Sequence, residues 1–113
     1  MNKAVLIGRL TRDPELRMTS TGLPVVRFTV AVDRNRRRQD GQGSQTDFLR
    51  VVAWNRLAEI CHQYLKKGKL VSIVGRLQID SYEKDGDSRI SAEVVADDMQ
   101  MLERVSDPVP EMN

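Results

Sequence analysis

The chain has 113 residues, a length that suits one domain. It is 40% hydrophobic and 30% charged with a net charge of +2, a composition typical of soluble globular proteins. No apolar run approaches the roughly 20 residues that span a bilayer, which argues against a membrane protein. The single cysteine, Cys61, has no partner for an internal disulfide. We therefore expect a cytoplasmic protein, in a reducing compartment and without membrane contact.

The charges divide unevenly along the chain. Residues 1–76 hold fifteen Lys and Arg against six Asp and Glu, a net of +9, whereas residues 77–113 hold three against ten, a net of −7. A basic body of this kind predicts a polyanionic partner. The alternative is a chance division on a solvated surface, which we favour less because the basic residues coincide with an aromatic strand.

Period-2 alternation of apolar residues predicts five strands. They cover residues 3–10, 24–33, 47–54, 70–82 and 89–101. Gly8 and Gly75 predict bends within two of them, and an Asp-Gly pair at 85–86 predicts a hairpin turn. Turn signals at residues 13–15 and 19–22 separate the first two strands.

Between the third and fourth predicted strands the period changes. Apolar residues recur at i, i+3, i+4, i+7 and i+8, which predicts an amphipathic helix. They are Leu57, Ile60, Cys61, Tyr64 and Leu65. Asn55 is the expected N-cap, and Gly68 suits the position after the helix. Five strands with one helix between the third and fourth match the element order of an all-β oligonucleotide-binding (OB) barrel.

The third predicted strand carries the most informative pattern. One face is apolar and suits a core: Leu49, Val51 and Ala53. The other face combines two aromatic rings with a guanidinium: Phe48, Arg50, Val52 and Trp54. Aromatic rings stack on bases and a cation among them meets phosphate, so this face predicts a surface for single-stranded nucleic acid. The alternative is that Phe48 and Trp54 belong to a second core or to a subunit interface.

A basic segment, residues 34–45, precedes this strand. It holds four arginines within five positions and two glycines, and it has no aliphatic residue. The arginines are Arg34, Arg36, Arg37 and Arg38. We expect an exposed loop that is mobile in the free protein and closes over a bound strand.

Six motifs, spread over residues 2–102 in a fixed order, together resemble the bacterial single-stranded DNA-binding proteins. They are Val5-Leu6-Ile7-Gly8-Arg9-Leu10, Asp13-Pro14-Glu15-Leu16-Arg17, Phe28-Thr29-Val30-Ala31-Val32, Leu57-Ala58-Glu59, Tyr64-Leu65-Lys66-Lys67-Gly68 and Met99-Gln100-Met101-Leu102. The resemblance implies a five-stranded Greek-key OB-fold with one helix between strands 3 and 4. It also implies sequence-independent binding and protection of single-stranded DNA in replication, repair and recombination, on the nucleoid. Neither catalysis nor a cofactor is implied, and the family is usually homotetrameric.

The resemblance also assigns site residues by matching motif. The family's stacking aromatics fall on Phe48, Trp54 and Tyr82, and its basic contacts fall on Arg50, Arg56 and Lys67. The loop arginines Arg34, Arg37 and Arg38 are further candidates. Arg36 stands where the family usually has another aromatic residue. A guanidinium can stack on a base but offers less apolar area, so phosphate contacts should carry more of the affinity.

We expect an OB-fold domain over residues 1–103 and a flexible tail over residues 104–113, which contains Pro108 and Pro110. The family typically ends in a longer tail with an acidic tip that recruits replication and repair proteins. This sequence has no counterpart of that tip, so it is either shortened or a short form. Partners that bind through the tail are therefore not carried over.

Two other functions remain open from the sequence. The same barrel could serve as a primosome accessory protein or an RNA-binding module, because the fold alone does not separate these roles. A nuclease is the third possibility, with Asp97 and Asp98 as candidate Mg²⁺ ligands. The single histidine, His62, and the lack of a nucleophile–base pair argue against a nuclease.

Overall fold

The computed structural model describes residues 1–34 and 45–102. Within these ranges the elements are β1 (Ala4–Leu10), β2 (Glu15–Met18), β3 (Pro24–Asp33), β4 (Thr46–Trp54), α1 (Asn55–Tyr64), β5 (Leu70–Lys84) and β6 (Asp87–Met101). The predicted all-β class is confirmed, and so is the position of the helix after the aromatic strand. Most of the basic loop, residues 35–44, and the predicted tail, residues 104–113, lie outside the described residues.

The short strand β2 was not predicted. Its four residues pair antiparallel with the beginning of β3, from Glu15↔Arg27 to Met18↔Pro24. Only Leu16 of β2 is half-buried, and the other three residues are exposed. Four residues are too few for an alternating pattern to be recognised between two turn signals, so the sequence predicts five strands where the described ranges contain six.

The strands form one sheet in the order β1-β5-β6-β4-β3-β2. The end of β1 also pairs with β3, at Arg9↔Ala31 and Leu10↔Val30, and this pairing closes the sheet into a barrel. All pairings are antiparallel except β4–β6, which run parallel at Val51 and Val52. A small closed barrel with one helix between β4 and β5 is the predicted OB architecture.

Both predicted bends lie where two backbones approach closely. A Cβ atom on Gly8 would collide with the carbonyl oxygen of Ala31, where β1 turns from β5 toward β3. A Cβ atom on Gly75 would collide with the carbonyl oxygen of Val95, next to a register shift between β5 and β6. Glycine permits the tight curvature that a small barrel needs at both points.

The barrel interior is filled by buried apolar residues from β1, β3, β4, β5 and β6, with the half-buried Leu16 of β2 packed against them, and α1 covers one end. The largest fully buried side chains are Ile73, Val26, Val30, Val51, Val71 and Cys61. The helix contributes Ala58 and Cys61, and Leu65 follows directly after it. Tyr64 is 50% exposed, so the buried stripe of α1 is narrower than the sequence predicts. Burial raises the pKa of the Cys61 thiol to about 11.

The helix begins differently from the prediction. Its N-cap is Trp54, in an extended conformation, and no side chain caps the free N–H groups. Asn55 is the first helical residue and has a φ of 59°. This left-handed value is one that asparagine tolerates better than most residues. The strand therefore leads into the helix without a loop, which places α1 immediately beside the aromatic strand.

The hairpin of β5 and β6 extends beyond the barrel. The two strands pair from Val71↔Met101 to Lys84↔Asp87, and the turn residues Asp85 and Gly86 both have positive φ, as the predicted Asp-Gly turn requires. We call residues 76–92 the arm, because all but one of its residues are exposed. No helix in the described ranges is long and apolar enough to cross a membrane.

Candidate nucleic-acid interface

The outer face of β4 presents the predicted aromatic and basic side chains. Phe48 is 65% exposed and Trp54 is 40% exposed, and Arg50 between them is also exposed. Directly opposite them on β3 lie Ala31, Thr29 and Val25. Small and β-branched neighbours leave the faces of both rings open to a ligand. Arg56, the second residue of α1, follows Trp54 closely and is exposed too.

Two residues of β4 depart from the predicted alternation. Val52, expected on the ligand face, is buried in a small cluster with Val25 and Val95. Leu49, expected in the core, is only half-buried. The cause is the parallel pairing with β6, which reaches Val51 and Val52 but not the beginning of β4. On the outer face of β4, a buried valine therefore separates the exposed side chains of Arg50 and Trp54.

Tyr82 lies on the same face of the sheet, although it is far from β4 along the arm. Val52 pairs with Val95, and Val95 pairs with Arg76 on β5. Since paired residues share a face and alternate residues repeat it, Tyr82 faces the same way as Arg76 and Val52. Tyr82 is 48% exposed. It lies six residues beyond Arg76, roughly 20 Å along the strand. The arm thus extends the aromatic face well past the barrel.

The candidate cations differ in their ion pairs and side-chain hydrogen bonds. Arg50 makes no ion pair or side-chain hydrogen bond with any residue that the structure describes. Arg56 forms an exposed ion pair with Glu59 at 3.2 Å. Arg34 is held more firmly, because its guanidinium donates to both carboxylate oxygens of Asp47 and to Gln45.

The Arg34–Asp47 pair has an electrostatic consequence. Hydrogen bonding and charge attraction raise the pKa of Arg34 and lower that of Asp47, so both stay ionised. Together with Thr46, which donates to Asp33, the pair joins the end of β3 to the beginning of β4. The structure therefore gives Arg34 an internal partner that the sequence did not reveal. Arg36, Arg37 and Arg38 lie outside the described residues.

Lys67 is not brought onto the β4 face. It lies beyond the far end of α1, about 15 Å of helix away from Trp54. Its backbone N–H donates to Asp13 at 2.9 Å, which joins this end of the helix to the turn before β2. Its side chain is exposed, and Asp13 lines a groove that also contains Arg50, so Lys67 lies near the end of that groove.

A groove of ≈ 320 Å³ opens beside Arg50 and contains two cations that the sequence analysis did not select. They are Arg12, in the turn before β2, and Arg27, on β3. The signal for Arg27 was present, because it alternates with Val25 and Thr29 on the outward face of a predicted strand. What the pattern could not give is the neighbour across the sheet: Arg27 lies opposite Val52 on β4.

Two acidic residues on this face are engaged with arginines. Arg27 donates to Glu93 at 2.9 Å, and Arg76 donates to Asp97 at 3.2 Å. Asp97 was a candidate Mg²⁺ ligand, and its carboxylate is here paired with a cation. Among the described residues, no group of three or more His, Cys, Asp or Glu side chains is arranged to hold a metal.

The model of the family described as "Single-strand binding protein family" matches residues 1–102. The chain is 48% identical to the single-stranded DNA-binding protein of Caldanaerobacter subterraneus subsp. tengcongensis, over 91% of this chain and 69% of that protein. It is 50% identical to single-stranded DNA-binding protein 3 of Clostridium acetobutylicum, over 91% and 72%. For the protein of this name from Thermotoga maritima the identity is 47%, over 91% and 74%. The family match and these identities agree with the barrel and with the aromatic face of β4. The chain therefore belongs to the single-strand binding protein family.

Proposed function

We propose that this protein binds single-stranded DNA without sequence preference, and so coats and protects it during replication, repair and recombination. The observation that carries the proposal is the outer face of β4, where Phe48, Arg50 and Trp54 are exposed together. Solvent alone does not favour two large aromatic rings flanking a guanidinium. The names of the three relatives, all single-stranded DNA-binding proteins, support the same function.

In this proposal the bases stack and the phosphates are neutralised. Phe48 and Trp54 stack on neighbouring bases, and Tyr82 stacks on a base further along the arm. Each stacked base contributes about 1–3 kcal/mol and does so for any base, because every base has a π-face. Arg50, Arg56 and Lys67 neutralise phosphates, with Arg34, Arg36, Arg37 and Arg38 as additional contacts from the loop. Arg34 must leave Asp47 to take part, so its contribution is the smallest.

The function is non-catalytic and needs no cofactor, because stacking and charge neutralisation break no bond. A protein that coats single strands works where chromosomal DNA is unwound, which places it on the nucleoid in the cytoplasm. We assign this function to a domain over residues 1–103; residues 104–113 lie outside the described residues.

We also propose that the protein is a homo-oligomer, most simply a tetramer. Val5 is 62% exposed and Ile7 is 55% exposed on β1. On the edge of β1 that faces away from β5, only Arg9 and Leu10 pair with another described strand, β3. An exposed apolar edge strand is a site for pairing with another chain. Light scattering that gives the mass of one chain at micromolar concentration would contradict this part of the proposal.

The decisive experiment is a titration with oligo-dT, followed by the emission of Trp54, the only tryptophan. Stacking should quench the emission, and log K should fall with log[salt] by about 0.7 per phosphate contact. A duplex of equal length is the control, because it offers phosphates without accessible base faces. Equal affinity for both ligands would overturn the proposal.

Two further experiments distinguish the proposed function from the two alternatives. Competition between matched DNA and RNA oligomers distinguishes a DNA-coating protein from an RNA-binding module, and we expect DNA to compete at least as well. Incubation with Mg²⁺ and labelled single strands tests for a nuclease, and we expect the strands to remain intact.

A further inference from the structure

A carboxylate lies in the middle of the candidate binding face, where a polyanion would be repelled. It belongs to Glu93 on β6, and only 16% of its side chain is exposed. The parallel pairing Val52↔Val95 places Glu93, two residues before Val95, beside Arg50 on the same face. Covering a carboxylate costs desolvation free energy, so Glu93 needs a partner that offsets this cost.

That partner is Arg27. Arg27 on β3 donates through Nε to Glu93 Oε2 at 2.9 Å, and the Arg27 side chain is 53% exposed. Arg27, Arg50 and Glu93 all line the groove of ≈ 320 Å³. Asp13 and Glu15 line it as well, but Asp13 accepts from the backbone N–H of Lys67 and Glu15 is paired with Arg17. Glu93 is thus paired with Arg27, while Arg50 beside it on the same groove makes no ion pair with any described residue.

We propose that Arg27 and Arg50 together bind one backbone phosphodiester of the nucleic acid, and that Glu93 occupies the place of this phosphate in the free protein. The inference rests on the proposed function, because the phosphate is that of a strand stacked on Phe48 and Trp54. A phosphodiester presents two non-bridging oxygens and one negative charge, so it satisfies the planar fork of Arg27 better than one carboxylate oxygen does. On binding, Arg27 leaves Glu93 and turns to the phosphate.

The exchange gives Glu93 a role in selectivity. A ligand must displace the carboxylate before it gains Arg27, and a strand whose bases stack alongside has the free energy to do so. A polyanion without bases gains only charge contacts, which salt screens. Glu93 therefore weakens the binding of base-free polyanions and of duplex more than it weakens the binding of single strands.

The molecule offers a matched control on the same face. Arg76 and Asp97 form an ion pair of the same kind at 3.2 Å, with side chains 52% and 58% exposed, but neither residue lines the groove. Neutralising Glu93 or Asp97 changes the net charge equally. If only overall charge matters, the two changes have equal effects on binding.

The experiment measures dissociation constants for oligo-dT, and for heparin as the base-free polyanion, over a range of salt. The variants are Arg27→Gln, Glu93→Gln, the double variant and Asp97→Asn. Arg27→Gln should weaken oligo-dT binding about tenfold, as expected for a charge-assisted hydrogen bond, and should reduce the salt slope by about 0.7. Glu93→Gln should tighten oligo-dT binding about two- to fivefold, the upper range of a surface ion pair, and heparin binding more. Asp97→Asn should change both less.

The double variant decides the mechanism. Glu93→Gln should give no gain when Arg27 is already Gln, because the freed arginine is then missing. An equal gain in both backgrounds, or an unchanged salt slope in Arg27→Gln, overturns the inference and leaves the proposed function intact if oligo-dT still binds the parent protein. Failure of the parent to prefer oligo-dT over duplex overturns the proposed function itself. Should Glu93→Gln lower the melting temperature below the assay range, Arg27→Gln alone decides, since its side chain is half exposed.

Discussion

The two ends of the β5–β6 hairpin have the same strands and the same ladder, yet opposite surroundings. At the barrel end, Val71 and Ile73 are fully buried. On the arm, Ile79 is 59% exposed and Ile90 is 74% exposed. Apart from one register shift between Val74 and Gly75, backbone pairing continues to Lys84↔Asp87, so hydrogen bonding within the hairpin is not what differs. What differs is the presence of β1, β4 and α1 across from one end only.

The difference separates two tasks within one hairpin. The barrel end has aliphatic side chains packed on all sides, and its contribution is stability. The arm has Tyr82 and few packed neighbours, and its contribution is surface for a ligand or another chain. Substitutions in the two ends should therefore affect different measurements.

The largest contrast should appear in thiol reactivity. Cys61 is fully buried at the covered end of the barrel, and burial raises its pKa to about 11, so at pH 8 the thiol is protonated and inaccessible. Ile90→Cys in a Cys61→Ala background places a thiol on the exposed arm. We expect a thiol reagent to react with Cys61 more than about 1,000-fold more slowly, because reaction there requires global unfolding.

Denaturant serves as the control for this contrast, because both thiols should then react at similar rates. Fast labelling of Cys61 in the native protein would show that the helix end of the barrel opens locally, and that the barrel is less closed than its burial indicates.

The next contrast compares isoleucines on one face of one strand. Ile73→Ala should lower the free energy of unfolding by about 2–5 kcal/mol, because it leaves a cavity in the core. Ile79→Ala should change it by less than about 0.5 kcal/mol, as exposed substitutions usually do. Denaturant titration of both variants measures the difference.

An equal loss in both variants would break the comparison and show that the arm is covered in solution. A melting temperature of Ile79→Ala that rises with protein concentration more steeply than that of the parent would identify a second copy as the cover.

These contrasts also show which features of the fold the sequence predicts. Local signals were sufficient for β3, whose bounds at Pro24 and Asp33 agree with the prediction, and for the bends at Gly8 and Gly75. Alternation alone placed Val71, Ile73, Leu77 and Ile79 on one face but could not show that the last two are 43% and 59% exposed. Exposure depends on residues distant in sequence, which a single-strand pattern does not contain.

The candidate site shows the same division. Phe48, Arg50 and Trp54 could be selected from one strand, because their spacing alone puts them on one face. The burial of Val52 could not, because it follows from parallel pairing with Val95. Arg27 and Glu93 are 66 positions apart, so their contact exists only in the folded barrel. The sequence predicts which face of a strand a residue lies on, but it does not predict the residue's partner on a neighbouring strand.

The aromatic residues provide the third contrast, now in binding. Phe48→Ala should weaken oligo-dT binding by about 1–3 kcal/mol with little loss of stability, because its ring is exposed and stacks on a base. Tyr82→Ala should behave in the same way from the arm. The matched control is Phe28→Ala: its ring is 5% exposed in the core, and the residue also borders the groove beside Arg50. It should destabilise the protein by about 3–5 kcal/mol and weaken binding below the melting point less than Phe48→Ala does.

A Tyr82→Ala variant that binds normally would restrict the interface to the barrel and remove the arm from the path of the strand. A Phe48→Ala variant that melts like Phe28→Ala but binds normally would place the aromatic face inside an interface between chains, the alternative that the sequence left open.

The smallest contrast concerns two arginines near the two ends of the exposed part of β4. Arg50 has no described ion-pair partner, whereas Arg34 is held by Asp47 at 2.8 Å. Arg50→Gln should weaken oligo-dT binding by about 1.5–3 kcal/mol, as loss of a charged hydrogen bond does. Arg34→Gln should weaken it by less than about 1 kcal/mol, because a phosphate must first replace the carboxylate of Asp47. Isotherms at two salt concentrations measure both effects, and Asp47→Asn is the control that frees Arg34. If Arg34→Gln matches Arg50→Gln in the parent, the ion pair does not restrain Arg34, and the loop arginines bind the strand as readily as the barrel does.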